Sequence, residues 1–366
     1  MSLTGKNATS LYEKNFNLKS QATVLKKIKQ VYKFILGALF ALIFLLLAFR
    51  QVDFGQLMHT LKSIKSGYVC LAFLVLFINT VFRAMRWKLL LSPIGVSSTG
   101  VLLSTLLIGH AGNIIFPAHI GEIIRVYILR NRTTIPASAA LATIVTERLI
   151  DIVFLLAILF LSVFQFDFPD WVKKSGYLML VLTAIAAVFI ILLKTKTENA
   201  FGLLRKLSSF LPEKFQKRIL LLASSFISGF VPLKQTADYL AVFVLSLLIW
   251  TTHLLSFVFG LIAFSFHLPW IASFVLIVIT TISVAFPITP GFVGSYHLLC
   301  QFSLSLFGIA KGPALGFALV IHGINTLPFL LIGLALAWRE GVNFFLVSKR
   351  DSLKDNYSEI NKRVLQ

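Results

Sequence analysis

Acidic side chains are scarce in this chain. Asp and Glu number 14 against 34 Lys and Arg, a formal charge of +20, and charged residues of both signs make up only 13% of the total. Soluble domains carry about 25% charged residues, so an ordinary water-facing surface is excluded. Cysteine is nearly absent. Cys70 and Cys300 both lie in apolar runs and are expected as small core residues rather than a disulfide, which leaves the redox compartment open. The chain also lacks H-E-x-x-H, P-loop and G-x-S-x-G patterns, and His119 with Glu122 is too small a group to predict a metal. No catalytic residue, metal, cofactor or coupling to ATP is therefore expected, and the chain is not expected to be an enzyme.

Apolar residues fill the space instead, at 57% of the chain with a mean hydropathy of +0.88. A helix needs about 20 residues to cross a hydrocarbon core of roughly 30 Å. Runs of that order lie at Val31–Phe49, Ala137–Phe164, Tyr177–Leu193, Tyr239–Phe266 and Ala314–Trp338, and a shorter one at Tyr68–Phe82 is extended by Arg83–Leu91. The predicted fold class is an all-α polytopic integral membrane protein. A long polar lead, and no small-x-small pattern behind the first run, predict that this run is kept as a span rather than cleaved as a signal.

The lysines and arginines cluster in loops, unlike the basic face of a soluble nucleic-acid module, so membrane lipid and not nucleic acid is the expected partner. Five regions follow: a basic tail (1–30), a first membrane repeat (31–193), a basic amphipathic linker (194–234), a second membrane repeat (235–338) and a final tail (339–366). The positive-inside rule places both tails and the linker in the cytoplasm.

Propagating orientation from the first span leaves two places where the apolar material is too short and is broken. One is Val101–Phe116 with Ile120–Leu129, interrupted at Pro117 and Gly121. The other is Ile271–Phe286 with Val293–Ile309, interrupted by Pro287, Pro290, Gly291 and Gly294. Each pair reads as a re-entrant hairpin, and two tilted full spans would give the same parity. About six full spans plus two broken hairpins, eight to ten membrane helices in all, form two halves of opposite orientation. Inverted repeats of this kind place substrate sites at interrupted segments near the midplane. Gly308, Gly312 and Gly316 recur every four positions and predict close helix packing.

Ionisable residues inside these runs cost on the order of 2.5 to 3.5 kcal/mol each at a helix centre, so they must face one another or water. The first half has Arg83 and Arg86 in FRAMRW, Asn113, His119, Glu122 and Arg125 in GNIIFPAHIGEIIR, and Glu147, Arg148 and Asp151 in TERLID. Glu122 and Arg125 are three apart, and Glu147 and Asp151 are four apart, so each pair shares a helix face. Two readings stay open: a structural ion-pair network, or a hydrated cavity whose arginines take a lipid phosphate and whose carboxylates orient them. A helix restarting after Pro117 would point its positive end into such a cavity. In the second half Tyr296 and His297 follow the break and supply polar contacts from the other side, unless the segment is only a tight turn.

The ordered set FRAMRW, GNIIFPAHIGEIIR, TERLID and PITPGFVGSYH resembles the flippase-like family typified by the membrane domain of lysylphosphatidylglycerol synthases, over roughly Val31 to Trp338. The resemblance implies a multi-pass protein of a bacterial or archaeal cytoplasmic membrane, with Arg86, Glu122, Arg125, Glu147, Arg148 and Asp151 at the family's polar positions. It departs from the family at His119, Phe292 and His297, which leaves the substrate open. Relatives with an aminoacyl-transferase domain carry it after the membrane region. Here only Arg339–Gln366 follows Trp338, so synthesis of an aminoacyl lipid is not expected.

Three functions compete. The first is a flippase-like transporter of an anionic or modified phospholipid or glycolipid. The second is a membrane-embedded enzyme, or an accessory subunit to a lipid-modifying partner, for head-group or lipid-linked sugar transfer. The third is a non-transporting scaffold.

Overall fold

The computed structural model describes residues 36–116, 119–195, 235–285 and 289–342, with isolated positions between 202 and 233. The first tail, most of the linker, most of the final tail, and the helix breakers Pro117 and Pro287 lie outside the described residues. What is described is helical. In chain order the helices are α1 (Leu36–Phe49), α2 (Phe54–Lys62), α3 (Ser66–Leu91), α4 (Thr99–Ile115), α5 (Ile120–Arg132) and α6 (Ala137–Val163). Then come α7 (Asp170–Thr195), α8 (Thr236–Ala263), α9 (Ile271–Ala285), a single 3-10 turn at Pro290–Phe292, α10 (Ser295–Ser305) and α11 (Lys311–Arg339).

Over its described residues, each apolar run predicted as a full span is largely one helix. By length and apolarity, however, three of the described helices qualify to cross a membrane, α3, α8 and α11, or four if α1 and α2 are counted as one bent span. Helix α6 has 27 residues but carries Glu147, Arg148 and Asp151. Between α1 and α2 the chain bends by 90°. Asp53 caps the new helix, its Oδ1 accepting from the amides of Gly55 at 2.8 Å and Gln56 at 3.1 Å.

Packing is organised by an antiparallel seam between α3 and α8. Lys65 N donates to Ala263 O at one end, Asn79 meets Ile249 and Thr252 midway, and Arg86 reaches Ser246 further on. The start of α3 and the end of α8 therefore share one end of the molecule, here the Lys65 end. The opposite, Arg132 end collects the end of α5 and the end of α11, where Arg132 pairs with Glu340 and donates to Ser104 of α4 at 2.7 Å.

Both short pairs fold back on themselves. Helices α4 and α5 run antiparallel so closely that a Cβ on Gly121 would overlap the Gly109 carbonyl. Phe116, the residue before Pro117, leaves the helix in an extended conformation at φ −111° and ψ 138°, as a following proline dictates. This first hairpin opens at the Arg132 end. The second, α9 with α10, opens at the Lys65 end, where Trp171 from the first turn of α7 and Phe166 from the α6–α7 turn pack on Phe302 and Phe307. The hairpins meet tip to tip: a Cβ on Gly291 would stand 3.2 Å from the Ile114 carbonyl oxygen, and the rings of His119 and Phe292 lie 6.2 Å apart. Gly291 at φ +56° and Gly294 at φ +84° take left-handed conformations that side chains with a Cβ resist.

The largest apolar core joins α6, α8, α9, α10 and α11 around Phe257, Val275, Leu276 and Phe317, and a second joins α3 to α6 around Trp87, Leu102 and Leu129. Large apolar side chains on α1, α7, α8 and α11 point outward, including Leu39, Leu178, Leu240 and Leu331. Exposed Tyr68, Trp171 and Trp270 lie toward the Lys65 end, and exposed Tyr239 and Trp338 toward the Arg132 end. Apolar flanks between aromatic girdles suit a bilayer. Of the cysteines expected in the core, Cys300 is buried but Cys70 is exposed, because it lies on the outer face of α3; neither forms a disulfide. Gly312 and Gly316 admit α2 against α11, next to Asp53 and Leu57, while Gly308 lies before the helix at φ +76°.

Candidate functional site

Asn79, Arg83 and Arg86 occupy one face of α3, at helical spacing, and that face meets α6 and α8. Arg86 has no exposed surface; its guanidinium lies 2.8 Å from Asp151 Oδ1 and 3.9 Å from Glu147 Oε1, and it donates to Ser246 Oγ at 3.1 Å. Asn79 turns the next arginine: its Oδ1 accepts from Arg83 Nε at 3.0 Å, leaving Arg83 Nη1 to reach Asp151 Oδ2 at 3.2 Å. From α5, Arg125 bridges Glu122 at 2.9 Å and Glu147 at 2.7 Å and lies 4.1 Å from the centre of the Trp87 ring, a cation–π arrangement. Trp87 is itself fixed by its indole N–H, which donates to Thr143 Oγ1 at 3.0 Å. Arg148 pairs with Glu122 at 3.0 Å and Asp151 at 3.7 Å.

The result is one network of four arginines, Arg83, Arg86, Arg125 and Arg148, with three carboxylates, Glu122, Glu147 and Asp151. With every group charged it carries one net positive charge. Exposure is graded. The side chains of Arg86 and Glu147 are 0% and 3% exposed, whereas Arg148 is 46% exposed. The deep groups hold the outer ones in place.

The outer groups border a cavity of about 250 Å³ that lies where the two hairpin tips meet. Of the site residues named from the sequence, Arg83, Asn113, His119, Glu122, Arg125, Arg148 and Tyr296 line it. Arg86, Glu147 and Asp151 stand behind them, and His297 stands behind Tyr296 and His322. Asn113 also closes the first hairpin, its Oδ1 accepting from the Gly121 amide at 2.7 Å. His119 occupies the cap position of α5 in a left-handed conformation, φ 53°, without a side-chain capping bond. Across the cavity the Tyr296 hydroxyl is buried and makes no hydrogen bond among the described residues, while its ring stacks on His322 at 5.0 Å.

Sequence reading missed the second wall. His110 of α4, His253 of α8, Thr281 of α9, and His322, Asn325 and Thr326 of α11 complete the lining. A signal was present: His322, Asn325 and Thr326 stand at i, i+3 and i+4 of an apolar helix and so share a face. Among the described residues no cluster of His, Cys, Asp and Glu has the arrangement of a metal site. The cavity offers guanidinium groups on one side and neutral donors and acceptors on the other, suited to an anion bearing hydroxyl or amide groups.

Comparison with known proteins agrees with the membrane architecture. Glycosyltransferase AglD of Haloferax volcanii is 26% identical over 133 residues, which cover 36% of this chain and 21% of that protein. The UPF0104 membrane protein MJ1595 of Methanocaldococcus jannaschii is 29% identical over 168 residues, 43% of this chain and 50% of that protein. The matches thus span half or less of these relatives' own lengths. No solved structure matches. The family model for the lysylphosphatidylglycerol synthase transmembrane region matches residues 34–333, from α1 to within α11 and including both hairpins, and this multi-pass membrane protein belongs to that family.

Proposed function

We propose that the chain is a flippase-like transporter that moves an anionic or modified phospholipid or glycolipid across the cytoplasmic membrane. The head group enters the cavity while the acyl chains stay in lipid. One observation carries this reading: a cavity with a surplus guanidinium and neutral polar groups set among apolar walls lies between two opposed hairpin tips. Its volume of about 250 Å³ is at the lower edge of pockets for drug-sized ligands, which suits a head group and not a whole lipid.

The antiparallel α3 and α8, each followed by a hairpin opening at the opposite end and then by a long helix, support two inverted repeats. On this reading the hairpins are re-entrant, the membrane helices number eight to ten, and rocking of the halves alternates access. The basic sequence of the tail (1–30) and the linker (194–234) supports placing the Arg132 end, where α1 and α8 begin, and both termini in the cytoplasm. The described loops do not choose, with Arg50, Lys62, Lys65, Lys173, Lys174 and Lys311 at the Lys65 end against Lys88, Arg130, Arg132 and Arg339 at the other.

The test is native mass spectrometry of the purified protein beside Arg148→Gln, which removes the most exposed guanidinium of the network and leaves the buried pairs of Glu147 with Arg86 and Arg125 in place. A lipid class enriched in the parent over the bulk membrane and lost in the variant identifies the cargo, and a proteoliposome assay should then show it crossing. Equal transport by parent and variant would sink the cavity assignment. The likeness to Glycosyltransferase AglD favours a second reading, an enzyme of lipid-linked sugar transfer or an accessory to one. A new lipid mass formed by pure protein and an activated sugar donor would decide for it.

A further inference from the structure

The tip of the second hairpin is held by hydrogen bonds that run in one direction. The Gly294 amide donates to His297 Nδ1 at 3.2 Å, so this nitrogen is the bare acceptor and the ring proton is on Nε2. His297 Nε2 faces His322 Nδ1 at 3.2 Å and donates to it, which requires that nitrogen to be bare as well. His322 therefore carries its proton on Nε2, which lies 2.9 Å from the Gly291 carbonyl oxygen and donates to it. One pair of neutral tautomers, assigned from this network, satisfies all three contacts.

His297 is also the third residue of α10 after its cap, Gly294. In a capping box that place belongs to Glu or Gln, whose side chain accepts from the cap amide at any neutral pH. A histidine does so only while Nδ1 is unprotonated.

We propose that His297 and His322 form a proton-binding site whose occupancy releases the second hairpin tip from α11. A proton added to His297 enters at Nδ1 and turns the acceptor of the Gly294 amide into a second donor. A proton added to His322 enters at Nδ1 and displaces the His297 N–H. Either event breaks a link, and the first also sets a positive charge against the positive end of α10. Both rings are buried, at 4% and 8% exposure, so an imidazolium here needs water. His322 lines the cavity and gives protons a route.

The surroundings leave the pair to act on its own. Tyr296 stacks on His322, and Cys300 follows one turn along α10. The elements packed on α10 and α11 bring His110 from α4, Tyr68, Cys70, Arg83, Arg86 and Lys88 from α3, Asp238, Tyr239 and His253 from α8, His59 and Lys62 from α2, Glu122, Arg125, Tyr127, Arg130 and Arg132 from α5, and Asp170, Lys173 and Lys174 from the start of α7; α1 and α9 bring no ionisable residue. His119 meets the tip at Phe292. The carboxylates of the cavity network, Glu122, Glu147 and Asp151, are already engaged by arginines.

The inference goes beyond transport: it concerns protonation and tip movement whatever the cavity carries. Its test uses the full chain in lipid nanodiscs, labelled with 15N-histidine and assigned with His297→Gln and His322→Gln. Hydrogen–deuterium exchange across Gly291–Gly294 is measured in parallel and corrected for intrinsic rates. At pH 8 both rings should be neutral with the proton on Nε2. Between that pH and about 5, one should become imidazolium and tip exchange should rise about tenfold or more. His297→Gln, which keeps a non-titrating acceptor for the Gly294 amide, should keep that amide protected throughout. Three results would overturn the proposal: an Nδ1 proton on either ring at pH 8, rings neutral across the range, or imidazolium with unchanged tip exchange. If one variant fails to fold, the coupling across the Nε2–H···Nδ1 bond between the rings assigns the second signal from the first, so the parent spectra still decide the matter.

Discussion

Asn79 binds two helices at once: its Nδ2 donates to the Ile249 carbonyl and to Thr252 Oγ1 of α8, while its Oδ1 takes the Nε–H of Arg83. The residue sets both the α3–α8 register and the aim of a cavity arginine. Asn79→Leu keeps the volume and removes all three bonds. A buried polar group left without its partner costs about 1–3 kcal/mol, so a lower melting temperature in detergent is expected. Lipid retention by native mass spectrometry should fall with it, because Arg83 loses its tether. Unchanged melting would show that the seam is held by apolar packing alone.

Glu147 is the deep anchor of the network, shared by Arg86 and Arg125. Glu147→Gln leaves buried guanidinium charge without its counter-ion. Removing one member of a buried pair costs about 3–5 kcal/mol. Changing Arg125 to Gln in the same protein should recover part of that loss, so the double variant should melt higher than the two single effects add up to. Strict additivity would mean the two groups do not interact.

Gly121 and Gly100 make a matched pair. A methyl group at Gly121 would strike the Gly109 carbonyl and the Asn113 side chain, whereas at Gly100 it meets nothing within 4 Å. Gly121→Ala should prevent the first hairpin from closing and abolish folded yield. Gly100→Ala, in an open helical position, should raise stability by about 0.5–1 kcal/mol. Size-exclusion profiles and melting curves of the two variants test the contrast.

The meeting of the tips can be probed by chemistry. Cysteines at His119 and Phe292, placed in a background without Cys70 and Cys300, should be joined rapidly by a short bifunctional thiol reagent, since the native rings lie 6.2 Å apart. A cysteine at Gly67, at the start of α3, paired with the one at Phe292 provides the control. Equal yields from the two pairs would argue against tip contact.

Much of this was readable from the chain because breakers and charges are loud signals in apolar sequence. The interruption at Pro117 and Gly121 and the turn around Gly291 located both hairpins, and the spacing of Glu122 from Arg125 gave their ion pair. Depth was not readable. Arg83 and Arg86 share a face of α3, and only the approach of α8 through Ser246 decides that Arg86 is sealed while Arg83 reaches the cavity. The histidine wall was legible only in part, at His322, Asn325 and Thr326 on one face of α11: nothing local shows that folding gathers His110 of α4 and His253 of α8 beside them. His297 was read as a contact from the cavity's far side, yet it stands behind the lining, because its ring turns inward to cap α10 and meet His322.

Each hairpin of this one chain contributes a tip to the cavity, and the described lining needs no second copy to enclose it. If the cavity carries the proposed head group, binding should saturate at one per chain. Vesicles made with mixtures of intact and Arg148→Gln copies should then lose activity in proportion to the fraction of altered copies.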